Sequence, residues 1–403
     1  MIRKVLIVHN EYQKHGGEDS VVVQEENALK RAGYEVQLFT VSNKAISSFA
    51  DKVQAAFSAF NSPRIIKSIV DVAREFRPDV AHVHNFFPMI SPMIHAALQE
   101  NGIPTVQTLH NYRVICAGAT LNRNGAPCEI CITKSPYNAV LHRCYRGSLL
   151  GSLAVAYSVQ QHKSRGTWSN DVDRFIVLTE FERSRFIAAG LPAERIKTKP
   201  NGLADPDPGV GAVQRHGLLF VGRLTHEKGV DVLVRAAQMA GCPIKVLGEG
   251  PLQPLVEGCA EIEYLGQCEP SVVRTAMAEA AAMIVPSVWY EGLPMVIVEA
   301  FASGTPVIAS RIGSLIEIIE DGVTGIHTEP GDAADLARAM TRLASDPAAA
   351  RRMGKAARLK YEQNWSEALT TSHLLSIYEE AVASYARKQI VVEGSQPSEL
   401  ALT

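Results

Sequence analysis

Three observations predict an α/β protein of two facing, Rossmann-like, doubly wound domains with a cleft between them. Short β-rich runs alternate with helical stretches, the alternation restarts after a Pro/Gly/Asp cluster, and 403 residues are about twice the usual size of one domain. The first run, Lys4 to His9, leads into a helix near Asp19 to Arg31 closed by Gly33, then a strand from Glu35 to Thr40. A helical Pro63 to Phe76, strand Val80 to His84, helix Ser91 to Gln99 ended by Gly102, and strands Thr105 to His110 and Arg174 to Thr179 continue the pattern. A parallel sheet covered on both faces follows. The cluster Ala204 to Ala212 reads as the linker, and the same grammar resumes at Gly217 to Val221. Strands Pro243 to Leu247, Ile262 to Leu265, Ala282 to Pro286 and Pro306 to Ser310 follow with helices between them. The expected organisation is a first domain over 1–200 with a cysteine-rich insertion at 113–146, a second over 201–387, and a mobile polar tail over 388–403.

Composition narrows the functional classes. Hydrophobic residues at 46% and charged residues at 20% mark an ordinary globular chain, and a net charge of −2 argues against a generic nucleic-acid binder. The charge is unevenly spread: residues 1–199 carry 24 Lys and Arg against 17 Asp and Glu, the remainder 16 against 25. The two halves are therefore expected to face different partners. Val5 to Val8 is too short an apolar core for a signal peptide, and Leu149 to Val159 is broken by Gly151, Ser152 and Ser158. A cytoplasmic protein with reduced thiols is expected.

In doubly wound sheets ligands bind beyond the carboxyl ends of the strands, so the loops there carry the chemistry. After the strand ending at Pro286 comes a loop with Glu291 and Gly292, and Pro294 then suits the first turn of a new helix holding Glu299. The free backbone N–H groups of that turn form an anion site, and Gly292 lets a ligand approach the backbone closely. Arg223 and Lys228, in the loop after Val221, add two cations of the kind a diphosphate needs. Gly248 and Gly250 again follow a strand and precede a helix.

Taken in order, Gly222-Arg223 to Lys228-Gly229, Leu247-Gly-Glu-Gly-Pro251, Glu291 and Glu299, and Pro200-Asn-Gly202 resemble glycosyltransferase family 4, the retaining transferases of the GT-B fold. The resemblance implies that Arg223 and Lys228 bind the donor diphosphate, Glu299 the ribose and Glu291 the transferred sugar, with backbone contacts from Gly292, Leu293, Pro294 and Met295. It further implies a final helix, here Ser366 to Tyr385, crossing back to the first domain. Gly16 and Gly17 resemble the family's glycine loop, and His110 its histidine beside the reacting sugar. His9 to Glu18 does not supply a dinucleotide fingerprint. His82 reads as a core histidine satisfied by backbone, with His84 expected at the opposite or a loop-facing position.

Cys116, Cys128, Cys131 and Cys144 surround a Cys-x-x-Cys pair in a polar insertion. They suit a structural tetrahedral zinc; packed reduced thiols or a redox disulfide are the competing readings. Asp171-Val-Asp173 precedes a strand and reads as a surface turn. The expected function is retaining transfer of a sugar from a nucleoside-diphosphate sugar to a glycan or polyprenyl-diphosphate-linked acceptor, in exopolysaccharide or lipopolysaccharide assembly. The cations and helix terminus would stabilise the leaving diphosphate, so the chemistry demands no cofactor. Basic amphipathic stretches, with Val53, Phe57 and Phe60 in one and Leu149 to Val159 in the other, predict peripheral contact with an anionic membrane, the inner face of the plasma membrane. A nucleotide-sugar epimerase and a silent nucleotide-sugar-binding scaffold are the alternatives.

Overall fold

A computed structural model describes residues 2–13, 16–43, 61–206 and 215–394. Val53, Phe57 and Phe60 lie outside the described residues, as does most of the expected linker. The first sheet is built from β1 (Lys4–Glu11), β2 (Glu35–Ser42), β3 (Val80–Asn85), β4 (Thr105–Thr108), β7 (Arg174–Val177) and β8 (Ile196–Thr198), in the order β2-β1-β3-β4-β7-β8. All its pairings are parallel. Helices α1 (Gly17–Arg31), α2 (Pro63–Phe76) and α3 (Ile94–Glu100) connect its early strands. Between β4 and β7 lie a hairpin of β5 (Asn122–Arg123) and β6 (Ala126–Pro127) and helices α4 (Ile130–Thr133), α5 (Asn138–Leu141) and α6 (Leu149–Ser164). Helix α7 (Glu180–Ala188) then leads to β8.

The second sheet has β9 (Leu218–Val221), β10 (Ile244–Leu247), β11 (Ile262–Gly266), β12 (Ala282–Val285), β13 (Val307–Ser310) and β14 (Gly325–Thr328), in the order β11-β10-β9-β12-β13-β14, again parallel. Around it pack α8 (Val230–Ala240), α9 (Gln253–Glu257), α10 (Pro270–Glu279), α11 (Met295–Ala302), α12 (Leu315–Ile318), α13 (Ala333–Ser345) and α14 (Pro347–Asn364). In both sheets the strand order reverses beside the first strand of the unit, which opens a crevice at the carboxyl ends of the strands.

Burial explains the strand composition. Every residue of β3, β7, β12 and β13 is buried, so these strands are covered on both faces, while the edge strands β2 and β11 keep several exposed positions. Helix ends follow local chemistry: Thr179 accepts from the Glu182 N–H to start α7, and Asp332 and Asp346 do the same for α13 and α14.

The last helix, α15 (Glu367–Gly394), returns to the first sheet, burying Leu374, Ile377, Tyr378 and Ala381 against Val5, Ile7, Val80, Val106 and Ile176. Each fully buried side chain of this size is worth about 1.5–3 kcal/mol. The helix extends to Gly394, and Lys388 donates to Asp173 at 2.7 Å, so the segment expected to be a tail from 388 onward begins as ordered helix. Asp173 itself is fully buried and accepts from the Thr105 N–H at 2.9 Å, which corrects the surface-turn reading: the carboxylate ties the start of β4 to α15.

The two chain crossings lie side by side. Leu203 donates its N–H to Trp365 O at 2.9 Å, and Glu367 donates to Leu203 O at 3.0 Å. A Cβ at Gly202 would overlap Thr370 Oγ1 on α15, so glycine there permits the close approach of one crossing to the other.

Candidate active site

The loops after β9, β10 and β12 meet backbone to backbone. Gly248, at φ +133°, has no room for a Cβ because the carbonyl of Gly222 occupies that space, and Gly229, at φ +72°, lies equally close to the carbonyl of Pro286. Hydrogen bonds tie the same loops: Gly222 N–H to Leu247 O at 3.0 Å, Leu224 N–H to Glu249 O at 2.9 Å, and Val288 N–H to Glu227 O at 3.0 Å. A side chain at Gly250 would strike Leu224. The glycines found in the sequence therefore hold three strand-end loops together.

At this junction Lys228 Nζ lies 2.7 Å from Glu291 Oε1, which also accepts from Ser287 Oγ at 2.7 Å and Trp289 Nε1 at 2.9 Å. Ser314 Oγ donates to the Glu291 carbonyl at 2.7 Å, fixing the backbone as well. Burial alone would push the Glu291 carboxyl up, but the Lys228 charge and the three hydrogen bonds outweigh it and hold the group below the usual carboxylate range. Glu291 is thus an ionised acceptor in a buried site. Lys228 serves Glu291 as well as any anion, whereas Arg223 is exposed at the loop surface. The turn Gly292, Leu293, Pro294 leads into α11 with Pro294 as its N-cap and Met295 as its first residue. Glu299 is half-buried on α11; burial raises its carboxyl, with the Arg274 charge opposing.

Across the cleft, Gly16 caps α1, its N–H donating to Asp19 Oδ2 at 2.8 Å, and Gly17 is exposed at the first turn. Tyr12 Oη donates to Glu18 Oε2 at 2.8 Å and accepts from Asn111 Nδ2 at 3.3 Å, linking the glycine loop to the end of β4. Burial pushes the Glu18 carboxyl up to about 8, against the lowering effect of the Tyr12 hydrogen bond. His110 joins His84, ring nitrogen to ring nitrogen, at 2.9 Å. His82 is buried as expected, but side chains satisfy it: Tyr378 Oη at 2.8 Å and Thr108 Oγ1 at 2.7 Å. His84 does not face the opposite way or a loop: two residues on along β3 it shares the buried face of His82, and both rings lie 3.0 Å from Glu25 Oε1.

The halves touch across the cleft. Glu317 of α12 accepts the N–H groups of Glu180 and Phe181 at 2.9 and 3.1 Å, capping α7 from the opposite domain, and Phe181 meets Tyr290 edge-on at 4.7 Å. A Cβ on Gly292 would lie 2.7 Å from the buried carboxylate of Glu182, which accepts from the Leu178 N–H at 2.9 Å.

All four insertion cysteines are free thiols, Cys116 buried and the others half-buried. Burial, followed by the charges of the three other thiols, pushes Cys131 up to about 12, but the four sulfurs do not form a group of three within 4.8 Å of one another. Among the described residues the trio whose ligand atoms lie within 4.8 Å of one another is instead Glu25, His82 and His84. There Lys199 Nζ, 2.7 Å from Glu25 Oε2, already supplies the positive charge. Ser287, Trp289, Ser314, Glu25 and Lys199 are site residues that the sequence reading missed. Ser287 and Trp289 flank Glu291 in one loop, which was a usable signal; the others come from distant segments and had none.

Residues 15–205 match the model of Glycosyltransferase Family 4, and residues 215–346 that of Glycosyl transferases group 1. The chain is 28% identical over 323 residues to a glycogen synthase of Mycobacterium tuberculosis, covering 74% of this chain and 68% of that protein. It is 25% identical to the amylovoran biosynthesis glycosyltransferase AmsK of Erwinia amylovora, covering 68% and 78%. Among solved structures, sucrose-phosphate synthase from Thermosynechococcus elongatus superposes with a TM-score of 0.68 at 17% identity, over 95% of this chain and 100% of that one. Anabaena HepE, solved in complex with UDP, superposes at 0.61 with 18% identity, over 93% and 98%. With family models matching residues 15–205 and 215–346 and two parallel six-stranded sheets in the order of that fold, the chain belongs to glycosyltransferase family 4, an enzyme family of GT-B fold.

Proposed function

We propose that the protein transfers a hexose-type residue from a nucleoside-diphosphate sugar, with retention of anomeric configuration, to a glycan or polyprenyl-diphosphate-linked acceptor in exopolysaccharide or lipopolysaccharide assembly. The observation that carries the donor half is the ionised Glu291, held by Lys228, Ser287 and Trp289 at the turn that opens α11. Arg223, Lys228 and the backbone N–H groups of Gly292, Leu293 and Met295 bind the diphosphate, with Gly248 and Gly250 letting the ligand approach the backbone. Glu299 binds the ribose and Glu291 the sugar hydroxyls. As the glycosidic bond to the diphosphate breaks, these fixed charges stabilise the leaving group, an effect worth several kcal/mol. The leaving phosphate takes the acceptor proton, so Glu291 acts by binding and orienting and is not a nucleophile. His110, with Gly16 and Gly17, faces the same sugar from the first domain. Donor binding is assigned to residues 201–387 and acceptor binding to 1–200. A thermal-shift panel of nucleoside-diphosphate sugars tests the reading: one donor raises Tm in proportion to its affinity, and no response to any donor would sink it.

Two further assignments belong to this reading. Cys116, Cys128, Cys131 and Cys144 hold a structural zinc, a reading supported by the Cys-x-x-Cys spacing of Cys128 and Cys131 between two single free thiols in an insertion of two-residue strands and four-residue helices. Peripheral binding to an anionic membrane, at the inner face of the plasma membrane, is supported by α6 and the preceding turn. Leu149, Leu150, Leu153 and Tyr157 are exposed large hydrophobics on one helix, Leu141 is 78% exposed beside them, and Arg143 and Arg146 are exposed in the turn between. No helix among the described residues is long and apolar enough to cross a membrane.

A further inference from the structure

Behind His110 lies a buried chain of polar groups that the donor site does not use. Glu25, in the middle of α1, places Oε2 2.7 Å from Lys199 Nζ and Oε1 3.0 Å from His84 Nε2. His84 Nδ1 lies 2.9 Å from His110 Nε2. Glu25 Oε1 is also 3.0 Å from His82 Nδ1. Glu25, His82, His84 and Lys199 are all buried, so each proton in the chain has to be placed by its neighbours.

We propose that Glu25 is a positioning residue: through His84 it sets the tautomer of His110, so that His110 faces the sugar as a hydrogen-bond acceptor at Nδ1. Although burial raises its carboxyl, the Lys199 ammonium and the two histidines bring Glu25 well below the usual range, so it is an ionised group that only accepts. His84 therefore donates from Nε2. Burial, helped by His82, holds His84 down to about 3, so its ring is neutral and carries that single proton. Its Nδ1 is then a lone pair, and His110 has to donate to it from Nε2. His110 is itself held well below its ordinary value by burial and by His84, so it too is neutral, and its Nδ1 is left as a lone pair. Among the described residues none hydrogen-bonds Nδ1, and His110 is half-buried. The His82 ring does not upset this order, because its other partners, Tyr378 and Thr108, are hydroxyls that can donate or accept.

An acceptor at Nδ1 selects a sugar hydroxyl able to donate, and it disfavours an analogue lacking that hydroxyl. The functional consequence rests on the proposed contact of His110 with the donor sugar; the tautomer assignment does not. The test is nitrogen-15 NMR of the histidine rings in the full-length protein, which distinguishes Nε2–H from Nδ1–H without any substrate. Wild-type His84 and His110 are expected as Nε2–H tautomers. In Glu25→Gln the amide carbonyl has to face the Lys199 ammonium, which turns the NH2 group toward His84. Both rings should then invert to Nδ1–H, and transfer should fall at least roughly tenfold in kcat. Glu25→Asp should retain the wild-type tautomers. An Nδ1–H wild-type His110, or a His110 unchanged in Glu25→Gln, would overturn the inference even if that variant lost activity. The wild-type measurement needs no variant to fold. If the tautomers are as stated but His110→Ala transfers at the wild-type rate, the sugar contact falls and the positioning role falls with it.

Discussion

At the scale of single residues the two cations of the donor site are unequal. Arg223 is exposed, so Arg223→Ala should reduce turnover by on the order of 100-fold and leave thermal stability unchanged. Lys228→Ala should cause a similar loss of turnover and also lower Tm, because it strands the buried Glu291 carboxylate without its counter-charge. Parallel turnover and melting measurements on both variants check this, and equal stability of the two would contradict it. Glu182 supplies a pH-dependent counterpart. Burial pushes its carboxyl up to about 8 from an ordinary value of 4.5, so the folded state prefers it protonated. Its contribution to stability is complete below about 4.5, declines as pH rises, and is lost once pH passes about 8. Glu182→Gln should therefore melt higher than wild type at pH 8 and above, with the advantage shrinking toward pH 5. A gap that does not change with pH would refute the assignment.

At the scale of elements, the insertion between β4 and β7 is built of short pieces around one small apolar cluster, Ala117, Ala139, Val155 and Val159, with Cys131 and Cys144 packed against it. Its hairpin strands have two residues each and α4 and α5 four each, below the length at which helices or hairpins persist alone. Zinc bound by the four thiols would cross-link these pieces beside that small cluster. Metal analysis of freshly purified protein should find about one zinc per chain, and chelation should expose the thiols to labelling slowly, without immediate inhibition. Protein without metal whose four thiols label at once in the native state would remove the zinc. The same insertion leads into α6 with its exposed leucines, so loosening it should also weaken any membrane contact.

At the scale of the whole molecule, the paired crossings and α15 join the two domains. Gly202→Ala drives a methyl group into Thr370 and should cost about 1–3 kcal/mol, seen as a lower denaturation midpoint. Thr370→Ala in the same chain should recover part of that loss, and strict additivity of the two changes would show that the sites do not meet. The surplus of Lys and Arg in the first half bears on the acceptor. Sedimentation with anionic vesicles should show binding that weakens at high salt. Absence of binding at low salt, with efficient transfer to a soluble acceptor, would sink the membrane proposal and leave the transferase standing.

The sequence by itself determined the α/β class and the places where strands end, and it made candidates of Arg223, Lys228 and Glu291 in the loops and Glu299 on the helix that follows, because periodicity, glycine punctuation and spacing within a single segment are local properties. Gly248 and Gly250 were legible for the same reason, although their purpose was not: which carbonyl each one makes room for depends on a neighbouring strand. Tertiary structure alone decided that Lys228 pairs with Glu291, that Glu317 caps α7 from the opposite domain, and that Asp173, expected at the surface, lies buried beneath α15. It also decided that Glu25, Lys199, His82, His84, Thr108, Tyr378 and His110 form one network. Those residues come from six separate elements or loops, and a buried charge acquires its protonation state from whatever the fold packs around it, which no local pattern of residues encodes.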